Sequence, residues 1–444
     1  MKRIENFFRL KENKTSFSIE ITAGITTFMT MAYIIIVQPA VLSGQMFGLK
    51  TGMDLGAIMT ATCLAAALAT ILMGLWANYP IAQAPGMGEN FFFVFTVIPA
   101  AKEMGVENPW STALGVVFIA GILFLILSLI HVRKLIISAI SPSLKNGIAA
   151  GIGLFIAFIG LKNAGIITGD PGTLVKLNVT IPWKDLLVFS VGLFVMAALH
   201  ARKIRGSIIW GILSGLFISL CLGKVSFSGI VAAPPSLKPT FLKLDLVGAI
   251  SFKMWPYILL FLFMDIFDTI GTLIGVGEQA GFIRNNQLPR ANRALLSDAV
   301  GTVAGAALGT STVTSFIESA TGVEHGGRTG LANMATALCF LLALFFSPLV
   351  KMIAFYAPIT APALVLVGTM MLSNVIKIDW KDYTEALPSF LILIGVPLTY
   401  SIADGLALGL ICYPIIKLLA GKYKQIHPLC YFLCLIFIIR YVFL

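Results

Sequence analysis

The stretch "LFLFMDIFDTIGTL", residues 260–273, sets two aspartates, Asp265 and Asp268, in a run otherwise apolar enough for hydrocarbon. An ionised carboxylate there costs at least ~3 kcal/mol, and some estimates reach ~10 kcal/mol. Its surroundings are similar. Of 444 residues 58% are hydrophobic and 11% charged, against roughly 25% charged in soluble domains. Apolar runs of about 20 residues recur with short polar breaks, enough for a dozen to fifteen crossings of a bilayer. The chain reads as an all-α polytopic membrane protein.

The opening "MKRIENFFRLKENKTSFSIE" is basic and amphipathic, without a signal peptide's apolar core or cleavage site. Residues 1–17 read as a cytoplasmic lead-in. A net charge of +11 raises nucleic acid as a partner, but the cations lie in loops between spans. Lys2, Arg3, Arg9, Lys11 and Lys14 precede the first span, Arg133 and Lys134 follow the fourth, and Arg202, Lys203 and Arg205 the sixth. Arg284, Arg290 and Arg293 follow the eighth. With alternating spans all fall on one side, the positive-inside pattern, which places both termini in the cytoplasm. The six cysteines and four histidines (131, 200, 325, 427) show no metal or redox spacing, and no phosphate-binding loop is present. No cofactor or metal is expected.

The clearest spans fall near 18–42, 56–77, 112–131, 145–165, 185–200 and 207–223, then near 254–277, 293–309, 329–347, 358–374, 385–400 and 402–420. Residues 224–253 read as an extracellular link between halves. Two segments break the pattern: "YPIAQAPGMGENFFFVFTV" (79–97) and "GAALGTSTVTSFIESATGV" (305–323). Each comes two spans after the first of its half. Paired interruptions of this kind point to the binding site of a secondary transporter. An odd number of spans per half inverts the second relative to the first. Pro85 suits a first helical turn, Gly86 and Gly88 admit close backbone approach, and Thr310, Ser311 and Thr312 suit helix caps. Helix N-termini would then face a cavity. A glycine-softened helix packed tightly on its neighbours remains the alternative. The last segment, 428–444, either crosses the membrane or lies along its interface.

Asp265, Asp268, Thr269 and Thr272 form one polar stripe on a helix, opposite Leu262, Phe263, Ile266, Phe267, Ile270 and Leu273. Gly271 and Gly275 permit close helix contact. No basic residue is expected within the central spans to neutralise the acids. Glu318 lies in the second interrupted segment, and Glu89 and Asn90 in the first, pointing about 100° apart on a helix. Asp298 reads as a helix cap or gating contact. Carboxylates, amide and hydroxyls converging without cations can accept hydrogen bonds from a planar, N–H-rich ligand. They can also exchange a proton, because burial makes the ionised form costly. Phe91, Phe92 and Phe93 offer either a stacking surface or core packing.

These residues resemble the adenine/guanine/hypoxanthine permease branch of the nucleobase–cation symporter superfamily. The matching motifs are "APGMGEN" (84–90), "FMDIFDTIGTL" (263–273), "LPRANRALLSDAVGT" (288–302) and "GTSTVTSFIESATGVEHGGRTGL" (309–331), together with the opening "SIEITAGITTFMTMAYIIIVQP". The resemblance implies fourteen transmembrane helices in two inverted seven-helix repeats, here 18–235 and 236–427, followed by the apolar segment 428–444. Broken third and tenth spans, a core domain (spans 1–4 and 8–11) and a gate domain (spans 5–7 and 12–14) come with it. It further implies proton symport of purine nucleobases, with the proton rather than sodium as coupling ion, a homodimer, and residence in the cell membrane. By motif, Asn90, Asp265 and Glu318 would contact the purine, with Gly88, Thr310 and Ser311 lining its site. Asp268, Glu318 and Glu89 would handle the proton. The chain departs from the family where Glu89-Asn90-Phe91 stands in place of a common Leu-Asn-Ala. Rival readings are an anion transporter of the same architecture, an uncoupled facilitator and an intramembrane enzyme. The first wants a cavity cation; the third wants a metal or nucleophile pattern. Neither is present in the sequence.

Overall fold

The computed structural model describes residues 2–129, 141–283 and 288–443. His131, Arg133, Lys134 and Arg284 lie outside them, as does the side chain of Arg440. Among the described residues nine helical stretches are long and apolar enough to cross a membrane: Phe17–Leu42, Leu55–Ala77, Pro109–Leu129, Pro142–Asn163, Trp183–Ala201, Phe252–Gly277, Gly330–Ala354, Ala357–Lys377 and Ile402–Leu419. Ser207–Cys221 and Tyr383–Thr399 are shorter and equally apolar. Helix Ala291–Leu308 carries Arg293 and Asp298, which lower its hydropathy. Polar residues set several helix starts: the side chains of Ser16, Asp54, Ser141, Asp382 and Ser401 each accept a backbone N–H in the first turn.

Helix contacts fall into two groups. Phe17–Met31, Leu55–Leu72, Pro109–Leu129, Trp255–Gln279, Ala291–Leu308 and Gly330–Ala343 pack mainly on one another. Pro142–Asn163, Trp183–Ala201, Ser207–Cys221, Ala357–Leu372, Tyr383–Thr399 and Ile402–Leu419 form the second group. In the first group the backbones nearly touch at Gly74 and Gly330, where a Cβ on Gly330 would lie 2.0 Å from the Gly74 carbonyl oxygen. In the second, Lys417 Nζ meets Glu385 at 2.7 Å, with the lysine side chain 3% exposed. A buried cation in a span is thus present, neutralised by its own acid.

Several details differ from the sequence expectations. The first span is interrupted at Ala32–Tyr33 into Phe17–Met31 and Ile34–Leu42, and within the second part Pro39 lacks the N–H that would bond the Ile35 carbonyl. An antiparallel hairpin, Ile167–Asp170 with Leu174–Leu177, turns at Pro171-Gly172 where no element was expected. Within the two interrupted segments lie short strands, Gln83–Pro85 and Val313–Ser315, paired antiparallel with Ala84 opposite Thr314. Gly86 N–H to Thr312 O (3.0 Å) and Phe316 N–H to Ala82 O (3.0 Å) extend the ribbon at both ends. Helices Met87–Phe92 and Ser319–Glu324 follow. Pro85 therefore ends a strand rather than opening a helix. Thr310, Ser311 and Thr312 run extended and do not cap, because Glu318 occupies the cap position seven residues after Ser311.

The last helix, Pro428–Phe443, runs antiparallel beside Ile402–Leu419. Cys434 Sγ lies 3.9 Å from Ile411 O and Tyr441 OH donates to Asp404 Oδ1 at 2.6 Å.

Candidate functional site

The buried ribbon joins two strands more than 220 residues apart in sequence, and polar side chains gather on it from four helices. Around Asn90 they form a closed ring. Asn90 Nδ2 donates to Gln38 Oε1, Gln38 Nε2 donates to Ser311 Oγ (3.2 Å), and Ser311 Oγ donates to Asn90 Oδ1. Gln38 Nε2 also donates to Thr310 Oγ1 at 2.9 Å. All four side chains are wholly buried. The structure thus brings Asn90, Thr310 and Ser311 together, through a glutamine that the sequence reading passed over.

A second network surrounds Asp265. Thr302 Oγ1 donates to Asp265 Oδ2 at 2.8 Å and accepts the Val313 N–H at 3.1 Å, tying the carboxylate to the ribbon. Asp298 is no helix cap: it lies in the middle of Ala291–Leu308, fully buried. Its Oδ1 accepts from Gln83 Nε2 (2.6 Å) and Ser315 Oγ (3.2 Å). Asp265 and Asp298 stand within hydrogen-bonding contact of each other. Asp265 Oδ1 and Asp298 Oδ2 receive no donor.

Asp268 behaves differently. Its side chain is exposed, whereas that of Asp265, one turn before it, is buried. Gly271 is likewise exposed, and a Cβ there would meet nothing within 4 Å. The expected stripe is therefore divided, with Asp265, Thr269 and Thr272 buried and Asp268 open. Thr269 and Thr314 hydroxyls meet at 2.8 Å, tying the stripe to the ribbon. Glu318, half-buried, accepts from Tyr33 OH at 2.9 Å, just beyond the interruption of the first span. Glu89 diverges from Asn90. Its carboxylate folds back over Gly86, within electrostatic reach of Asp268 and Asp265.

Gly88 abuts helix Pro142–Asn163, where its added Cβ would stand 3.2 Å from Ile152 Cγ2. Phe91, Phe92 and Phe93 are wholly buried core: Phe92 packs edge-on against Phe261 at 4.8 Å between centroids. Lys145 Nζ sits 5.0 Å over the ring of Phe267, so a cation does stand next to the acidic helix. Among the described residues no group of His, Cys, Asp and Glu is placed to hold a metal ion.

A family model described as "Permease family" (Xan_ur_permease) matches residues 18–408. Guanine/hypoxanthine permease PbuG of Bacillus subtilis is 45% identical over 447 residues, covering 99% of this chain and 100% of that protein. Adenine permease AdeP of Escherichia coli is 40% identical, covering 99% and 96%. Among solved structures, the transmembrane domain of the cyanobacterial bicarbonate transporter BicA aligns with a TM-score of 0.63 at 17% identity, covering 87% of this chain and 97% of that one. The murine anion transporter Slc26a9 aligns at 0.62 and 11%, covering 90% and 68%. At such identities the likeness is one of fold.

Proposed function

Because the chain belongs to this permease family, a family of multi-pass membrane proteins, we propose that it imports purine nucleobases (adenine, guanine or hypoxanthine) by proton symport. One observation supports the reading: the three residues marked by motif flank the paired segments, Asn90 bonded to Ser311, Asp265 through Thr302 to Val313 and Glu318 to Tyr33, with hydrogen bonds they can exchange for those of a ligand. A purine offers N–H donors to the carboxylates and acceptors to the Asn90 amide. Thr310, Ser311 and the Gly88 backbone line the site. The names of the relatives, guanine/hypoxanthine and adenine permeases, support this ligand class.

For the proton, Asp268 is the exposed acid of the group, Glu89 and Asp265 lie within its electrostatic reach, and Glu318 bonds Tyr33 of the first span. The driving force is ~2.3 kcal/mol per charge per 100 mV. The two contact groups correspond to a core and a gate that shift against each other. The fourteen-helix inverted repeat, 18–235 and 236–427, with third and tenth spans broken at the ribbon, belongs to the same proposal, as do the homodimer, the cytoplasmic N-terminus and the cell membrane. An anion site would need an uncompensated cation at the ribbon. Lys145, a cation beside the acidic helix, sits over the ring of Phe267.

Asp265→Asn and Glu318→Gln are expected to abolish purine accumulation while leaving protein levels intact. Normal uptake in both variants would remove the site assignment.

A further inference from the structure

Helix Pro428–Phe443 has one end tied to each face of the protein. Near its start, Lys417 Nζ bonds Gln425 Oε1 (2.9 Å) and Lys422 Nζ bonds Asp382 Oδ2 (2.7 Å), on the face that spans alternating from a cytoplasmic N-terminus assign to the cytoplasm. Near its end, Tyr441 bonds Asp404, the first turn of helix Ile402–Leu419. Tyr441 and Asp404 share a cavity of about 320 Å³ with Glu103 and Met104, which close the third segment, and with Lys253 and Tyr257, which open helix Trp255–Gln279. The same alternation places all these ends on the outer face. Sixteen residues rise about 24 Å, most of a ~30 Å hydrocarbon core.

We propose that Pro428–Phe443 is a further membrane crossing, carrying the C-terminus to the face opposite the N-terminus, and that its last turn completes an outer antechamber that receives the nucleobase. The second part rests on the proposed transport function. The cavity lies at the small end of ligand-binding volumes, ~300–1,000 Å³, as suits a ligand of two fused rings. Its Glu103 and Asp404 carboxylates accept N–H donors, the Lys253 ammonium donates to ring nitrogen or carbonyl oxygen, and Tyr257 and Tyr441 offer flat faces. Tyr257 also packs on Phe92 (6.3 Å between centroids), two residues beyond Asn90.

Reporters fused in turn to each terminus of the full chain test the crossing. They are expected on opposite faces; both on the same face would overturn it. Tyr441→Phe and Asp404→Asn test the antechamber in right-side-out vesicles. Loss of one hydrogen bond is expected to raise the external KM for hypoxanthine about 5- to 10-fold. Uptake Vmax should stay unchanged, while Vmax/KM for efflux from preloaded vesicles falls by the same factor, since the substitution cannot alter the equilibrium of transport. A role in folding alone would lower Vmax in both directions, and that outcome, or an unchanged external KM, overturns the antechamber. Absence of purine uptake by the unsubstituted protein would instead overturn the transport function and the antechamber with it, leaving the crossing to the reporters.

Discussion

Gln38→Leu isolates the part played by the ring around Asn90. The two side chains are close in volume, so the substitution removes polarity without opening a large cavity. It deletes three hydrogen bonds: those donated to Thr310 (2.9 Å) and Ser311 (3.2 Å), and that accepted from Asn90. Asn90 Nδ2 would be left facing only the Met87 sulfur at 3.9 Å. Hydrogen bonds between membrane helices average ~0.6 kcal/mol, so three sum to ~2 kcal/mol. An orphaned buried donor alone costs ~1–3 kcal/mol, which gives the same size by a second route. If the amide is held in its binding orientation by Gln38, that energy appears in substrate affinity, where ~2 kcal/mol is ~30-fold. Initial-rate uptake should therefore show the KM for hypoxanthine rising 10- to 30-fold, with a lowered Tm of the purified protein. Unchanged KM and Tm in Gln38→Leu would refute the idea that this ring orients Asn90.

Thr302→Val removes the donor to Asp265 and the acceptor of the Val313 N–H; orphaning that buried N–H costs ~1–3 kcal/mol, so uptake at fixed protein level should fall at least tenfold. Wild-type uptake would contradict the tie between Asp265 and the ribbon. Asp298→Asn keeps the shape but removes the second carboxyl beside Asp265, and the pH–rate profile of uptake should shift or flatten if the two share a proton; a superimposable profile speaks against sharing. Gly330→Ala drives a Cβ to 2.0 Å from the Gly74 carbonyl oxygen, backbone that cannot swing aside, and should cost ~1–3 kcal/mol or more as a drop in Tm. An unaltered Tm would disprove the close crossing. In the hairpin, the hydrogen bond from Lys176 holds the Asp170 carboxyl down at about 2, below its ordinary 3.8. Its stabilising contribution is thus fully present above pH ~4 and lost as pH falls toward 2. The protection factors of the Gly172 and Thr173 amides, whose N–H groups it accepts, should hold from pH 7 to 5 and drop below 4; a drop already at pH 6 would contradict the assignment.

Much of this architecture is carried by local composition. Apolar runs such as "GVVFIAGILFLILSL" (115–129) leave a helix as the way to satisfy backbone groups in hydrocarbon. The two Gly-, Pro- and hydroxyl-rich segments drew attention for the same reason, since such stretches form poor spans. What happens inside them was not legible. Pro85 and Thr310 to Thr312 look like helix starts locally, and only the pairing of 83–85 with 313–315 makes them extended. Asp298 looks like a cap after Ser297, until Gln83 is brought to it across the fold. Gln38 could have been found, because a lone amide beside a proline in an apolar run is costly unless it is bonded. The hairpin was also readable: Pro171-Gly172 between Ile167-Thr168 and Val175 carries ordinary turn chemistry. The course of 428–443 was not, since apolar composition suits an interfacial and a crossing helix alike.

The central claim is proton-driven purine transport. Its most direct test is the uptake of labelled hypoxanthine into proteoliposomes under an inward-directed proton gradient, with adenine, guanine and uracil as competitors. The account predicts accumulation above the external concentration, collapse on adding a protonophore, and competition by the purines but not by uracil. Uptake by folded protein that never exceeds equilibration, whatever the gradient, would contradict it.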